Sequence, residues 1–168
     1  MQALRKPTPF RANVWTFSGK GMKHRVTTTG FCPMARLLVL EDNLKDIGIA
    51  TDMALRAGFS DVQTHSSSSM SEVILGNAIE DGKPLPDAMI LDLDLGLESG
   101  FELLRFCHKN RLIPRIPVVV WTVMGEKERE ICQLFEVQEV VAKHEGPSAL
   151  CEALVRINPL QESQASVG

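Results

Sequence analysis

Three near-continuous apolar runs, LLVL (37–40), AMIL (88–91) and VVVW (118–121), constrain this chain most. Each is too short for a core helix and lacks the polar–apolar alternation of a half-buried strand. A strand that is apolar at consecutive positions has both faces covered. That condition is met in a parallel sheet with helices on each side. The surrounding sequence supplies the rest of such a sheet. Strands are expected at LLVLE (37–41), DVQTH (61–65), DAMILDL (87–93), IPVVVWT (116–122) and EVVAK (139–143). Helices are expected between and after them. Residues 44–57 carry Leu44, Ile47, Ala50, Met53, Ala54 and Arg56 at helical spacing, and Gly58 follows as a C-terminal cap. Ser66 to Ser69 can start a helix over 70–80. Further helices are expected at 100–108, 126–135 and 147–157. Right-handed crossovers turn five such units into an α/β fold, a doubly wound five-stranded parallel sheet. Ligands of such sheets sit beyond the C-terminal ends of the strands.

Composition agrees with one domain. The chain has 168 residues, 44% hydrophobic and 23% charged, which suits a single globular core. No apolar run reaches the ~18–20 residues of a membrane span. Cys32, Cys107, Cys132 and Cys151 are scattered without a C-x-x-C pair, so free thiols in a reducing compartment are expected. His24, His65, His108 and His144 have no ligand spacing. The net charge of −3 is unevenly spread. Residues 1–36 hold seven Lys or Arg and no acid, whereas residues 37–168 hold 11 basic and 21 acidic residues.

Residues 1–33 show no periodicity and read as a basic, disordered extension. Several origins stay open. The segment could bind an anionic surface or nucleic acid, or be a transit peptide. It could also be an upstream-start artefact, because Met34 stands two residues before the first strand. Residues 158–168 read as a polar tail.

The strand ends carry the chemistry. The first expected strand runs into Glu41 and Asp42, the third into Asp92, the fourth into Thr122 and the fifth into Lys143. A parallel sheet brings these ends to one edge. Crowded carboxylates raise one another's pKa, and a hard divalent cation relieves the crowding. Mg²⁺ prefers oxygen ligands and keeps several waters. Glu41, Asp42 and Asp92 could hold it, with the backbone carbonyl of Asp94 as a further oxygen. A carboxylate there can also attack phosphorus and form an aspartyl-phosphate. Lys143 would neutralise the phosphoryl oxygens, and the Thr122 hydroxyl could donate to one of them.

Residues 36–157 resemble the receiver domain of two-component response regulators. The motifs occur in that family's order: Glu41-Asp42 followed by Asn43, Asp92 eight residues before Gly100, then Thr122 and Lys143. The resemblance implies a flavodoxin-like sheet of order 2-1-3-4-5, Asp92 as phosphoacceptor and Mg²⁺ at Glu41, Asp42, Asp92 and the Asp94 carbonyl. It implies Thr122 and Lys143 as phosphoryl contacts. Asp94, Val123, Met124 and His144 are expected at the site mouth. The phosphoryl group would come from a sensor histidine kinase or a histidine phosphotransfer protein. Departures from the family pattern are Glu41 for the commoner Asp, Gly96 for a loop proline, Val123 for a small residue, Val140 for an aromatic and His144 for a cis-proline.

Only eleven residues follow 157, so the expected output is protein–protein contact through about 126–157, without a DNA-binding domain. A cytoplasmic signalling protein, not an enzyme, is the expectation. Two rivals remain. One is a pseudo-receiver that binds without switching. The other is a haloacid dehalogenase-like phosphatase, in which Asp92-Leu93-Asp94 would be nucleophile and general acid/base.

Overall fold

The computed structural model describes residues 12–18, 21–27, 34–113, 115–123 and 125–160. It divides into two units, residues 1–33 and 34–168. In the first, β1 (Ala12–Ser18) and β2 (Gly21–Thr27) pair antiparallel, from Ala12 opposite Thr27 to Ser18 opposite Gly21. No regular element is expected here from the sequence. Its signal is local: Val14, Trp15, Thr16 and Phe17 are strand formers, and two residues separate the strands, as in tight hairpins.

In the second unit the elements follow in the order β3 (Arg36–Leu40), α1 (Leu44–Arg56), β4 (Asp61–His65) and α2 (Ser68–Glu80). Next come β5 (Ala88–Leu91), β6 (Asp94–Leu95), β7 (Glu98–Ser99) and α3 (Gly100–Lys109). The chain then runs through β8 (Val118–Thr122), α4 (Glu126–Leu134), β9 (Glu139–Ala142), a 3₁₀ turn over Lys143–Glu145 and α5 (Pro147–Ile157). Five strands form a parallel sheet in the order β4-β3-β5-β8-β9. Counting only this sheet's strands, that is the expected 2-1-3-4-5.

The apolar runs are buried on both faces. Leu37, Val39, Ile90, Val119 and Trp121 face a cluster that includes Ala50 and Ala54 of α1 and Leu150 and Leu154 of α5. Leu38, Leu40, Met89, Leu91, Val118 and Val120 face the other way. There they meet Leu75 of α2, Leu103, Leu104 and Cys107 of α3, and Cys132 of α4. Each fully buried Leu or Val contributes about 1.5–3 kcal/mol relative to exposure. Helix α1 is closed at both ends. Asn43 accepts from the N–H of Lys45 and Asp46 at its start, and Gly58 takes φ 93° beyond its end, a left-handed turn that suits glycine.

The structure differs from expectation at several element ends. The third strand stops at Leu91: the Asp92 N–H still donates to the Leu40 carbonyl at 2.9 Å, and the chain then turns into the β6–β7 hairpin. Gly96 in that hairpin has φ 67°. The fourth strand begins after Pro117, which has no N–H to give a ladder. The fifth ends at Ala142, so Lys143 opens the 3₁₀ turn. Asn158, read as the start of a polar tail, is buried and donates to the Ala57 carbonyl at 2.8 Å. Among the described residues no helix is long and apolar enough to cross a membrane.

Candidate functional site

The strand order brings the C-terminal ends of β3, β5, β8 and β9 to one edge. Glu41 follows β3 directly and is held there by its N–H, which donates to the His65 carbonyl at 2.9 Å. Glu41 is 1% exposed and Asp92 4% exposed, whereas Asp42 beside them is exposed. One carboxylate oxygen from each of the three lies within 4.8 Å of the others. Lys143 Nζ completes the group, 2.6 Å from Asp92 Oδ2 and 2.8 Å from Glu41 Oε2. The other oxygens have backbone donors: Asn43 N–H reaches Glu41 Oε1 at 3.0 Å, and Asp94 N–H reaches Asp92 Oδ1 at 3.1 Å.

A third carboxylate reaches Lys143. Asp46, in the first turn of α1, has Oδ2 2.8 Å from Nζ. Burial alone would push the lysine down, but its bonds to Asp46, Asp92 and Glu41 together hold its pKa well above the ordinary lysine value. Glu41 is shifted the other way. Burial raises its pKa, the contacts with Lys143 and Asn43 offset part of this, and the Asp92 charge adds to the rise. Three carboxylates, of Glu41, Asp46 and Asp92, thus hold one ammonium, and Asp42 stands beside Glu41 and Asp92. An all-oxygen donor set short of positive charge, with unused lone pairs on each carboxylate, fits a hard divalent cation.

Two glycines shape the surroundings. A Cβ at Gly96 would lie 3.2 Å from Asp42 Oδ2, and a Cβ at Gly100 would collide with the Asp92 carbonyl. The hairpin loop is tied down by Glu98. Its carboxylate accepts from Ser68 Oγ at 2.7 Å, Ser69 Oγ at 2.9 Å and Ser69 N–H at 3.0 Å. These bonds, Ser68 first, lower its pKa to about 2.

The other expected residues that the structure describes lie on neighbouring strand ends and loops. Thr122 is buried at the end of β8. Together with Asp94, Ser99, Phe101, Val123 and Glu128 it lines an open cleft. Val123 is 82% exposed. Asp94 is exposed, and its Oδ1 accepts from the Gly96 N–H at 3.3 Å. His144 is exposed on the 3₁₀ turn, and Met124 lies outside the described residues. Strand-end reasoning missed Asp46, Glu98 and the Trp121 ring, whose centroid is 5.1 Å from Lys143 Nζ. Asp46 carries a sequence signal, an acid three residues past the Asn43 cap, but that signal is also the ordinary mark of a helix start.

Neither a family model nor a curated protein matches the sequence. Solved structures do. The phosphorylated cyanobacterial phytochrome response regulator RcpA superposes with a TM-score of 0.63 at 22% identity, over 79% of this chain and 96% of its own. The Mn²⁺-bound form of response regulator Rcp1 gives 0.58 at 23%, over 73% and 91%. Chemotaxis protein CheY4 of Vibrio cholerae gives 0.60 at 17%, over 74% and 99%. The chain has the fold of response regulator receiver domains.

Proposed function

We propose that this protein is a phosphoacceptor response regulator of two-component or phosphorelay signalling, with Asp92 as the residue that takes the phosphoryl group. The observation that carries this reading is the Lys143 ammonium bonded to Asp92 Oδ2 at the strand edge where Glu41 and Asp42 also stand. A merely structural ion pair would not need two further carboxylates beside it. The phosphorylated state of RcpA and the Mn²⁺ of Rcp1 support the same reading by fold.

An Asp92 oxygen attacks phosphorus of a phosphohistidine on a sensor kinase or histidine phosphotransfer protein. The P–N bond breaks, its electron pair returns to the imidazole, and a mixed anhydride remains on Asp92. Lys143 moves from the Asp92 carboxylate to a phosphoryl oxygen. Thr122 donates its hydroxyl to another, drawing the β8–α4 loop inward. Val123 and Asp94 border the cleft and control how water reaches the anhydride. Glu41, Asp42 and Asp92, with the Asp94 carbonyl, would hold Mg²⁺. Bound there, Mg²⁺ supplies positive charge to the carboxylates and to the phosphoryl oxygens. Output runs through protein contact with the region of about 126–157, in the cytoplasm.

The test is intact mass spectrometry after incubation with Mg²⁺ and acetyl phosphate. Wild type gains the mass of one phosphoryl group and Asp92→Asn gains none. Labelling that persists in Asp92→Asn removes the assignment.

A further inference from the structure

Lys143 has three N–H donors, and three carboxylates use them: Asp92 at 2.6 Å, Glu41 at 2.8 Å and Asp46 at 2.8 Å. The first two belong to the strand-end group. Asp46 does not. It comes from α1, 97 residues before the lysine. Its place is fixed locally, because Asn43 Oδ1 accepts from the Asp46 N–H at 3.3 Å and so sets the first helical turn. An acid in a first turn ordinarily faces water and interacts with the helix dipole. The Asp46 side chain is instead only 23% exposed and spends an oxygen on Lys143. The Trp121 ring, also on the α1 side of the sheet, bounds the ammonium at 5.1 Å.

We propose that Asp46 is a positioning residue for phosphoryl transfer, acting by holding Lys143 Nζ at the strand edge. This rests on the phosphoacceptor reading of Asp92. Once Asp92 is phosphorylated to the mixed anhydride, its oxygens accept hydrogen bonds more weakly, and one Lys143 donor is released. Glu41 and Asp46 keep the other two. The ammonium then pivots on two anchors and meets the phosphoryl oxygen without a search. With Asp46 removed, a flexible four-carbon stem hangs from one carboxylate. Misplacement of about 1 Å can cost up to about 100-fold in rate, and we expect Asp46→Ala to slow labelling about tenfold.

Two measurements on the full chain decide this. The first is ¹⁵N NMR of the lysine ammonium groups, with no phosphodonor present. Wild type shows a slowly exchanging Lys143 signal, and Asp46→Ala, which keeps the backbone N–H that starts α1, exchanges markedly faster. An unchanged signal in Asp46→Ala overturns the proposal. The second is a double-mutant cycle on the rate of labelling by acetyl phosphate with Mg²⁺. If Asp46 acts through Lys143, its roughly tenfold effect vanishes in the Lys143→Ala background, while fully additive losses overturn the proposal. Asp46→Glu, which restores the carboxylate, recovers part of the rate. Wild-type protein that never labels defeats the phosphoacceptor reading and the transfer role with it. The NMR result would still report whether Asp46 holds Lys143.

Discussion

The ammonium of Lys143 stands 2.6 Å from Asp92 Oδ2, although 51 residues separate the two and β8 lies between their strands. The lysine reaches across a whole strand to do this. Glu41 and Asp92 are buried beside it, so the contact offsets a desolvation cost that neither carboxylate could bear alone. Replacing Lys143 by Met removes that offset. Breaking one partner of a buried pair costs about 3–5 kcal/mol, and we expect Lys143→Met to lose stability of that order in urea unfolding. Added Mg²⁺ should restore part of it, and should also stabilise wild type. Ligand at a hundred times its Kd is worth about 2.7 kcal/mol. Asp42→Asn should abolish the Mg²⁺ effect. A Mg²⁺-independent unfolding midpoint in wild type would contradict the metal assignment.

Two glycines give opposite outcomes. At Gly100 a Cβ would strike the Asp92 carbonyl, which is backbone and cannot swing aside. Gly100→Ala is expected to destabilise by about 1–3 kcal/mol and to disturb the loop that follows Asp92. Gly48 sits exposed in α1, and a Cβ placed there would meet nothing within 4 Å. Gly48→Ala should therefore stabilise by about 0.5–1 kcal/mol. Chemical denaturation of the pair checks both signs, and equal effects would contradict the packing described.

Glu98 makes stability depend on acid. Its pKa falls from an ordinary 4.5 to about 2 through its bonds to Ser68, Ser69 and Ser67. A carboxylate with a depressed folded pKa contributes stability that is full above its unfolded value and is lost as pH drops through its folded one. The window therefore runs from about pH 4.5 down to about pH 2. Glu98→Gln should remove this component and flatten stability across that window in urea titrations at stepped pH. An acid limb identical to wild type would show that the serine contacts do not hold in solution.

Asp94 separates the leading reading from the D-x-D hydrolase. Its backbone N–H serves Asp92 and its side chain is exposed. Asp94→Asn is expected to leave Asp92 labelling intact and to change the lifetime of the acyl phosphate, followed by loss of label over time. A hydrolase would instead turn over a generic phosphomonoester in wild type and nearly stop in the variant.

Much of the fold was legible because burial on both faces leaves a run such as VVVW with no other stable setting. Even the polar strand DVQTH falls at 61–65 as expected, since turn residues bracket it. The carboxylate group was legible for a related reason: parallel strands share one edge, so strand-end residues must meet. What stayed hidden depends on side chains crossing between elements. Asp46 looks like a helix-start acid until the lysine is seen beside it. Asn158 looks like tail until Ala57 is found to need a donor. The β6–β7 hairpin has two-residue strands, too short for any periodicity to register.

The Asp92 carboxylate is the group expected to carry the phosphoryl. Borohydride reduces an acyl phosphate to an alcohol, so treating the Mg²⁺- and acetyl phosphate-labelled chain with it marks the phosphorylated residue irreversibly. Peptide mapping should then find reduction at Asp92 and nowhere else, and none without the phosphodonor. Reduction at Asp94, Asp42 or Glu41, or a chain that acquires no phosphoryl group at all, would contradict the account.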